Sequence, residues 1–236
     1  MSKRCIGVKL ARTIVVIPAM NEEKHIGKVV ADVKKYVRTV IVVDDGSTDR
    51  TAEFAKEAGA KTLVLPKNMG KGAALRLGVI EALNKNVNNV IMMDGDGQHR
   101  AEDLPLFLEK LEQGYDAAYG QRMGRGKMPL IKRIGNKIIV IIFRILFGFW
   151  PGDLLCGFKA FTADALKMVL WKSNGYSVEP EIMAKSPFSA IIRRKSRFCS
   201  TAFYTKFIEK IASSYIFQFV SFWICSFPFL TTWMST

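Results

Sequence analysis

Val90-Ile91-Met92-Met93-Asp94-Gly95-Asp96-Gly97-Gln98-His99 is the stretch on which the reading of this chain turns. It reads as a short buried strand that ends in two carboxylates, Asp94 and Asp96, each followed by glycine. Hard oxygen ligands on a loop at a strand end suit Mg2+ or Mn2+, and small neighbours let a phosphate-bearing ligand come close. Such loops, at the carboxyl ends of strands in open α/β sheets, are where nucleotides bind. Asp-Gly-Asp-Gly is also ordinary turn chemistry, so the flanking chain has to decide. A calcium EF-hand does not fit, because no Glu stands at the twelfth position of a loop starting at Asp94.

Upstream, two segments have the same form. Thr13 to Pro18 is a β-branched run read as a first buried strand. Asn21 is expected to cap a helix that carries Glu22 and Glu23 in its first turn and runs to about Tyr36. Thr39 to Val43 is a second apolar strand ending in Asp44 and Asp45, with a helix from Asp49 to Ala58 capped by Ser47 or Thr48. Lys61 to Leu65 reads as a third strand. Asn68-Met69-Gly70-Lys71-Gly72 then leads into a helix from Ala73 to Leu83. This is not a P-loop, since no Ser or Thr follows Lys71. A glycine-rich helix entry with a lysine still suits a phosphate or nucleotide.

After the Asp94 loop come a helix from Glu102 to Leu111 and a strand from Asp116 to Tyr119, leading to Gly120-Gln121-Arg122. The alternation β-α-β-α-β-α-β-α-β predicts an α/β fold, a mostly parallel sheet with helices on both faces. Three of its strands end in carboxylate-bearing loops, and in a parallel sheet those ends gather on one edge. Crowded carboxylates repel, and a bound cation is the simplest reason for them.

Composition narrows the class. The 236 residues suffice for one large α/β domain, or a domain with an appendage. With 49% hydrophobic residues a sizeable core is expected, not disorder. The 35 basic and 21 acidic residues give a net charge of +14, which implies an anionic partner. The cations are spread along the chain without a nucleic-acid-binding motif, so nucleic acid is not the expected one. Cys5, Cys156, Cys199 and Cys225 form no CxxC pair, which argues against zinc and a disulfide framework. No secretory signal is expected.

Residues 129–150 are expected to form a helix with a wide apolar face. Arg133, Lys137 and Arg144 fall within roughly 40° on its wheel, the pattern of a helix lying in a membrane interface. Gly152 to Lys159 reads as a turn-rich segment before a helix around Ala163 to Trp171. Asp153, Glu179 and Glu181 are carboxylates that could face the Asp96 loop. After about Lys185 the pattern changes: residues 186–210 are basic and atypical, with no strand-and-loop logic. Residues 211–236 carry no charge and are long enough to span a bilayer, which takes about 20 residues. A spanning anchor, an interfacial or packed hydrophobic tail, and a frameshifted stretch after Lys185 are all open for them.

The segments Pro18 to Glu22, Val42 to Ser47, Asn68 to Gly72, Asp94 to His99 and Gly120 to Arg122 resemble, in order, the inverting family 2 glycosyltransferases. Within these the chain is most similar to polyprenyl-phosphate sugar transferases. The resemblance covers about residues 12–185. It implies a GT-A fold, one glycosyltransferase domain over residues 1–185, and transfer of a sugar from a GDP-mannose or UDP-glucose type donor to a polyprenyl or dolichyl phosphate at the cytoplasmic membrane face. It implies that Pro18, Met20 and Glu22 border the nucleotide base, with Met20 where the family often has Tyr or Phe. Val43 and Asp45 would hold base and ribose. Asp94, Asp96 and Gln98 would ligate Mg2+ or Mn2+, with Gly95 at the ribose. Arg122 would face the sugar or the phosphates, and Asp153, Cys156, Gly157 and Lys159 would lie near the acceptor. The family's basic Gly-Glu-Ser-Lys-like closing loop has no counterpart, Arg193 to Arg197 being basic but different.

An ionised lipid phosphate needs no general base, its second pKa being about 6. A hydroxyl acceptor in glycan synthesis would need one, for which Asp153 or Glu181 is expected. A C-terminally disabled nucleotide-sugar-binding protein is the non-enzymatic alternative. A nucleotidyltransferase would want a basic glycine-rich loop after the first strand, which Pro18 to Glu22 lacks. The sequence leaves the oligomeric state open.

Overall fold

The structure is a computed structural model that describes residues 12–121, 141, 156–175, 177–186 and 189–193. Its centre is β1 (Thr13–Ala19), buried along its whole length. β-Branched residues on both faces are what a strand covered on both sides requires. Around it lie β2 (Thr39–Asp44), β3 (Lys61–Val64), β4 (Asn89–Met92), β5 (Ala117–Gln121), β6 (Lys159–Thr162) and β7 (Ser189–Arg193). The sheet order is β3-β2-β1-β4-β6-β5-β7. The pairs β3/β2, β2/β1, β1/β4 and β5/β7 are parallel, and β6 is antiparallel to both β4 and β5.

The helices are α1 (Ile26–Lys34), α2 (Thr51–Glu57), α3 (Lys71–Leu83), α4 (Leu104–Glu112), α5 (Ala163–Met168) and α6 (Val178–Lys185). They cover both faces, as expected. Residues of α3, α5 and α6 pack with Val16, Val43, Val90 and Phe161. Those of α1, α2 and α4 pack with Val15, Ile17, Val42 and Ile91. Alternate residues of one strand thus feed opposite cores, as the two-residue period demands.

Four expectations need correction. Asn21 does not cap a helix. It takes a left-handed backbone (φ 54°), and α1 begins only at Ile26. Glu22 and Glu23 sit in the turn before it, where the amides of Asn21, Glu22 and Glu23 donate to Ser47 Oγ, Thr51 Oγ1 and Asp49 Oδ2. The amides of Thr48 and Arg50 return the favour to Asn21 Oδ1 and Glu23 Oε2. These polar side chains clasp the loops after β1 and β2 together, and α2 consequently has no side-chain cap from Ser47 or Thr48.

The turn-rich reading of Gly152 to Lys159 missed β6, a four-residue strand that ends where Thr162 caps α5 by accepting from the Ala165 amide. The segment after Glu179 is helical to Lys185. The expectation of no strand logic beyond it fails, because β7 adds to β5 in parallel with Ala117 opposite Ser189. Arg122, Asp153, nearly all of 129–150, most of the basic segment and the 211–236 tail lie outside the described residues. Among the described residues no helix is long and apolar enough to cross a membrane.

Candidate active site at the carboxyl ends of β1, β2 and β4

The parallel order β2-β1-β4 brings together the loops that follow these three strands. Asp45 follows β2 and is buried, its amide donating to Ala19 O. Its two carboxylate oxygens accept from the Met69 and Gly70 amides at 2.7 and 2.9 Å. Asp45 therefore holds the loop that enters α3. Val43 is fully buried, with its side chain in the core beneath α3. Met20 is 40% exposed at the rim, where Asn68 Nδ2 donates to its sulfur at 3.0 Å. Gly95 is buried against the Pro18 carbonyl.

Asp94 is more heavily engaged than a plain metal ligand would be. Lys71 Nζ lies 2.8 Å from its Oδ1 and His99 Nε2 lies 3.3 Å from its Oδ2. Burial works against ionisation, but the Lys71 ammonium and the His99 ring outweigh it and hold the carboxyl far below the usual range. Lys71 also reaches Glu179 Oε1 at 2.7 Å. Burial disfavours the ammonium, yet Glu179 and Asp94 prevail and raise its pKa well above that of an ordinary lysine. Lys159 is buried nearby, and its burial lowers its pKa despite the attraction of Glu179.

Gly157 completes this wall. A Cβ there would lie 2.1 Å from Asp94 Oδ2, so only glycine lets the carboxylate stand where Lys71 and His99 meet it. Gly157→Ala is expected to destabilise the fold by about 2 kcal/mol through overpacking and to displace Asp94. Thermal unfolding and donor KM measure the two effects.

Asp96 is the open carboxylate of the loop. It is partly exposed, with Oδ1 accepting from the Gln98 amide at 2.9 Å, and Gln98 itself is exposed. Glu22 lies close enough to feel it: burial first, then the Asp96 charge, raises the Glu22 pKa. Like charges crowd here, as hard oxygen donors around a cation do. Among the described residues no three His, Cys, Asp or Glu side chains form a ready metal cage. A magnesium-type ion is commonly held by one or two carboxylates and completed by substrate phosphates, and the partly exposed Asp96 beside the exposed Gln98 offers oxygen donors for such a role.

Glu179 and Glu181 part company. They are two residues apart on α6, so they point about 200° apart. Glu179 joins Lys71. Glu181 accepts from the amides of Lys172 and Ser173, both at 3.0 Å, and pairs with Lys185 at 2.7 Å. Burial alone would raise its pKa; Lys185 and Ser173 outweigh it and lower it. It is the anchor of the 172–173 loop, which corrects its expected standing as a possible base facing the Asp96 loop. Glu181→Gln is expected to cost about 1 kcal/mol at neutral pH. The folded pKa being the lower one, this contribution is complete above the unfolded value of about 4.3 and fades as pH falls through the folded value. Denaturant titrations of wild type and variant at several pH values should converge in acid.

The Lys71–Glu179 link and the place of His99 are not legible in the sequence, although all three residues stand out in it. Residues 71 and 179 share no motif, and the antiparallel return through β6 and α5 brings Glu179 of α6 to the first residue of α3.

A family profile described as Glycosyl transferase family 2 matches residues 14–197. The chain belongs to glycosyl transferase family 2. The match runs past Lys185 and takes in β7. An uncharacterized protein of Methanocaldococcus jannaschii is 39% identical over 181 residues, 72% of this glycosyltransferase and 74% of that protein. The dolichyl-phosphate hexose transferase of Haloferax volcanii is 34% identical over 170 residues, 70% and 73% of the two chains. Among solved structures, glucosyl-3-phosphoglycerate synthase from Mycobacterium tuberculosis, crystallised with Mn2+, UDP and glucosyl-3-phosphoglycerate, superposes with a TM-score of 0.67. It is 21% identical and covers 89% of this glycosyltransferase and 79% of its own chain. The GT-A fold expected for this glycosyltransferase is thereby shown.

Proposed function

We propose that this glycosyltransferase moves a hexose from a GDP-mannose or UDP-glucose type donor to a polyprenyl or dolichyl phosphate, with inversion, at the cytoplasmic face of the membrane. The observation that carries the reading is the open Asp96 carboxylate beside Glu22, with the Lys71 ammonium fixed across the loop on Asp94. A divalent ion, Mg2+ or Mn2+, held by Asp96 and Gln98 next to Asp94, would neutralise charge on the departing diphosphate. Lys71 presents positive charge to the same group. Pro18, Met20 and Glu22 form the rim for the base, and Asp45 holds the 69–70 loop under the ribose. Arg122, named by the resemblance, is assigned to the sugar or the phosphates of the donor, and Asp153 to the acceptor.

The acceptor choice is supported from two sides. The Haloferax relative is named for dolichyl phosphate. Glu181, offered as the base for a hydroxyl acceptor, has both oxygens taken and a lowered pKa. A phosphate acceptor needs no base, because it is already ionised. The basic stripe expected in 129–150 would rest against acidic headgroups, where such an acceptor resides.

The test is transfer of labelled sugar from each donor into organic-extractable polyprenyl phosphate, with and without chelator. Metal-dependent incorporation supports the proposal. Incorporation only into soluble hydroxyl acceptors would overturn the acceptor, and incorporation unaffected by chelator would overturn the metal.

A further inference from the structure

We propose that Glu179 is a positioning residue for the transfer: it fixes the Lys71 ammonium against the Asp94 loop, where the donor diphosphate is to be held. The inference rests on the donor reading above and adds a residue that no motif of the sequence singled out for this role.

Lysine is a point charge on a flexible four-carbon stem. One carboxylate would let it swing; two on different elements hold it. Lys71 Nζ sits 2.8 Å from Asp94 Oδ1 and 2.7 Å from Glu179 Oε1, anchored from the β4 loop and from α6. The anchor on α6 is only half satisfied where it stands. The Glu179 side chain is only 4% exposed, and its Oε2 has no hydrogen-bond partner among the described residues. A buried carboxylate left half-satisfied is unfavourable, and such a group calls for an explanation in what it holds.

Glu181, on the other side of the helix, shows the contrast: its carboxylate pairs with Lys185 of its own helix and ties that helix to the 172–173 loop. That loop in turn covers the start of α3, where a Cβ on Gly70 or Gly72 would meet Asn174 O or Ser173 O at 2.5 and 2.4 Å. Arg76 of α3 bonds the Lys172 carbonyl and Asn174 Oδ1, and Trp171 Nε1 donates to Gly72 O. The backbone of Lys71 is thus clamped by one carboxylate's loop, and its ammonium by the other carboxylate.

The experiment compares the full chain as wild type, Glu179→Gln and Glu179→Asp. Titration calorimetry reads GDP and UDP binding in the presence of Mn2+, steady-state transfer reads kcat and both KM values, and thermal unfolding is followed in parallel. Glu179→Gln is expected to weaken nucleotide binding several-fold and to lower kcat about tenfold or more, as a misplaced binding group does. The KM for polyprenyl phosphate should stay near that of wild type. Glu179→Asp keeps the charge and should recover much of both losses.

A Gln variant that binds nucleotide and turns over like wild type overturns the inference. So do Gln and Asp variants equally impaired in step with equal losses of thermal stability, since that marks packing alone. Wild type that binds GDP or UDP but transfers nothing to polyprenyl phosphate overturns the acceptor reading only, and the nucleotide affinities of the variants still decide for or against Glu179.

Discussion

Asp96→Asn is expected to lower kcat for hexose transfer by about a hundredfold to a thousandfold, the range seen when a group that stabilises developing charge is removed. The fold should not notice. Asp96 is partly exposed, and its one described bond, Oδ1 accepting from the Gln98 amide, survives in asparagine. Thermal stability should therefore stay within about 0.5 kcal/mol of wild type. What is lost is the open anionic oxygen at the strand ends. Calorimetric titration of Mn2+ should show weakened binding, which separates loss of the ion from loss of any other catalytic contribution.

A second readout needs no turnover. After burial, the Asp96 charge is the largest cause of the raised Glu22 pKa. Removing that charge should let the Glu22 carboxyl titrate at lower pH, an effect visible by carboxyl-carbon NMR. A variant with wild-type transfer and an unmoved Glu22 would remove Asp96 from the site altogether.

What the chain shows in advance and what it hides have a common physical basis. Thr13–Ala19, Thr39–Asp44 and Asn89–Met92 are central parallel strands, and burial on both faces makes them continuous β-branched or apolar runs that cannot be mistaken for solvated turns. Their ends could be read as one edge because parallel strands joined by helices must finish together. The antiparallel β6 had no such mark. Lys159-Ala160-Phe161-Thr162 is short, follows glycine-bearing turn residues and carries a lysine that only the fold reveals to be buried.

The site divides in the same way. Asp96 and Gly95 announce themselves by spacing within one loop. Asp45 is legible as a carboxylate at a strand end, but its task of holding the 69–70 amides depends on a neighbouring loop 24 residues on. Glu179 and Glu181 look equivalent in sequence. A helix at about 100° per residue sends them to opposite sides, and that decides which one meets Lys71.

Lys71→Met should be the most destabilising of the substitutions considered, by about 3 kcal/mol, because breaking a buried pair from one side leaves uncompensated charge. Two carboxylates depend on this ammonium. Of its described ion pairs Asp94 would keep the one with His99, and Glu179, whose Oε2 has no hydrogen-bond partner among the described residues, would lose its one described ion pair. The carboxyl pKa of Asp94 should rise, since Lys71 is the foremost of the causes that lower it. With the folded pKa of Asp94 still below its unfolded value in wild type, its contribution is lost only as pH falls through that low value; in Lys71→Met the loss should move to higher pH.

The double variant Lys71→Met/Glu179→Gln separates charge from packing. If the cost of Lys71→Met is mainly a stranded carboxylate, neutralising Glu179 should return part of it, and the two changes together should cost less than their sum. Strict additivity in denaturant unfolding would mean that Lys71 and Glu179 are not coupled, which would contradict the 2.7 Å contact between them. Stability and activity should then part: the double variant is expected to regain folding energy but not transfer, because it lacks the ammonium beside the Asp94 loop that is proposed to meet the donor diphosphate.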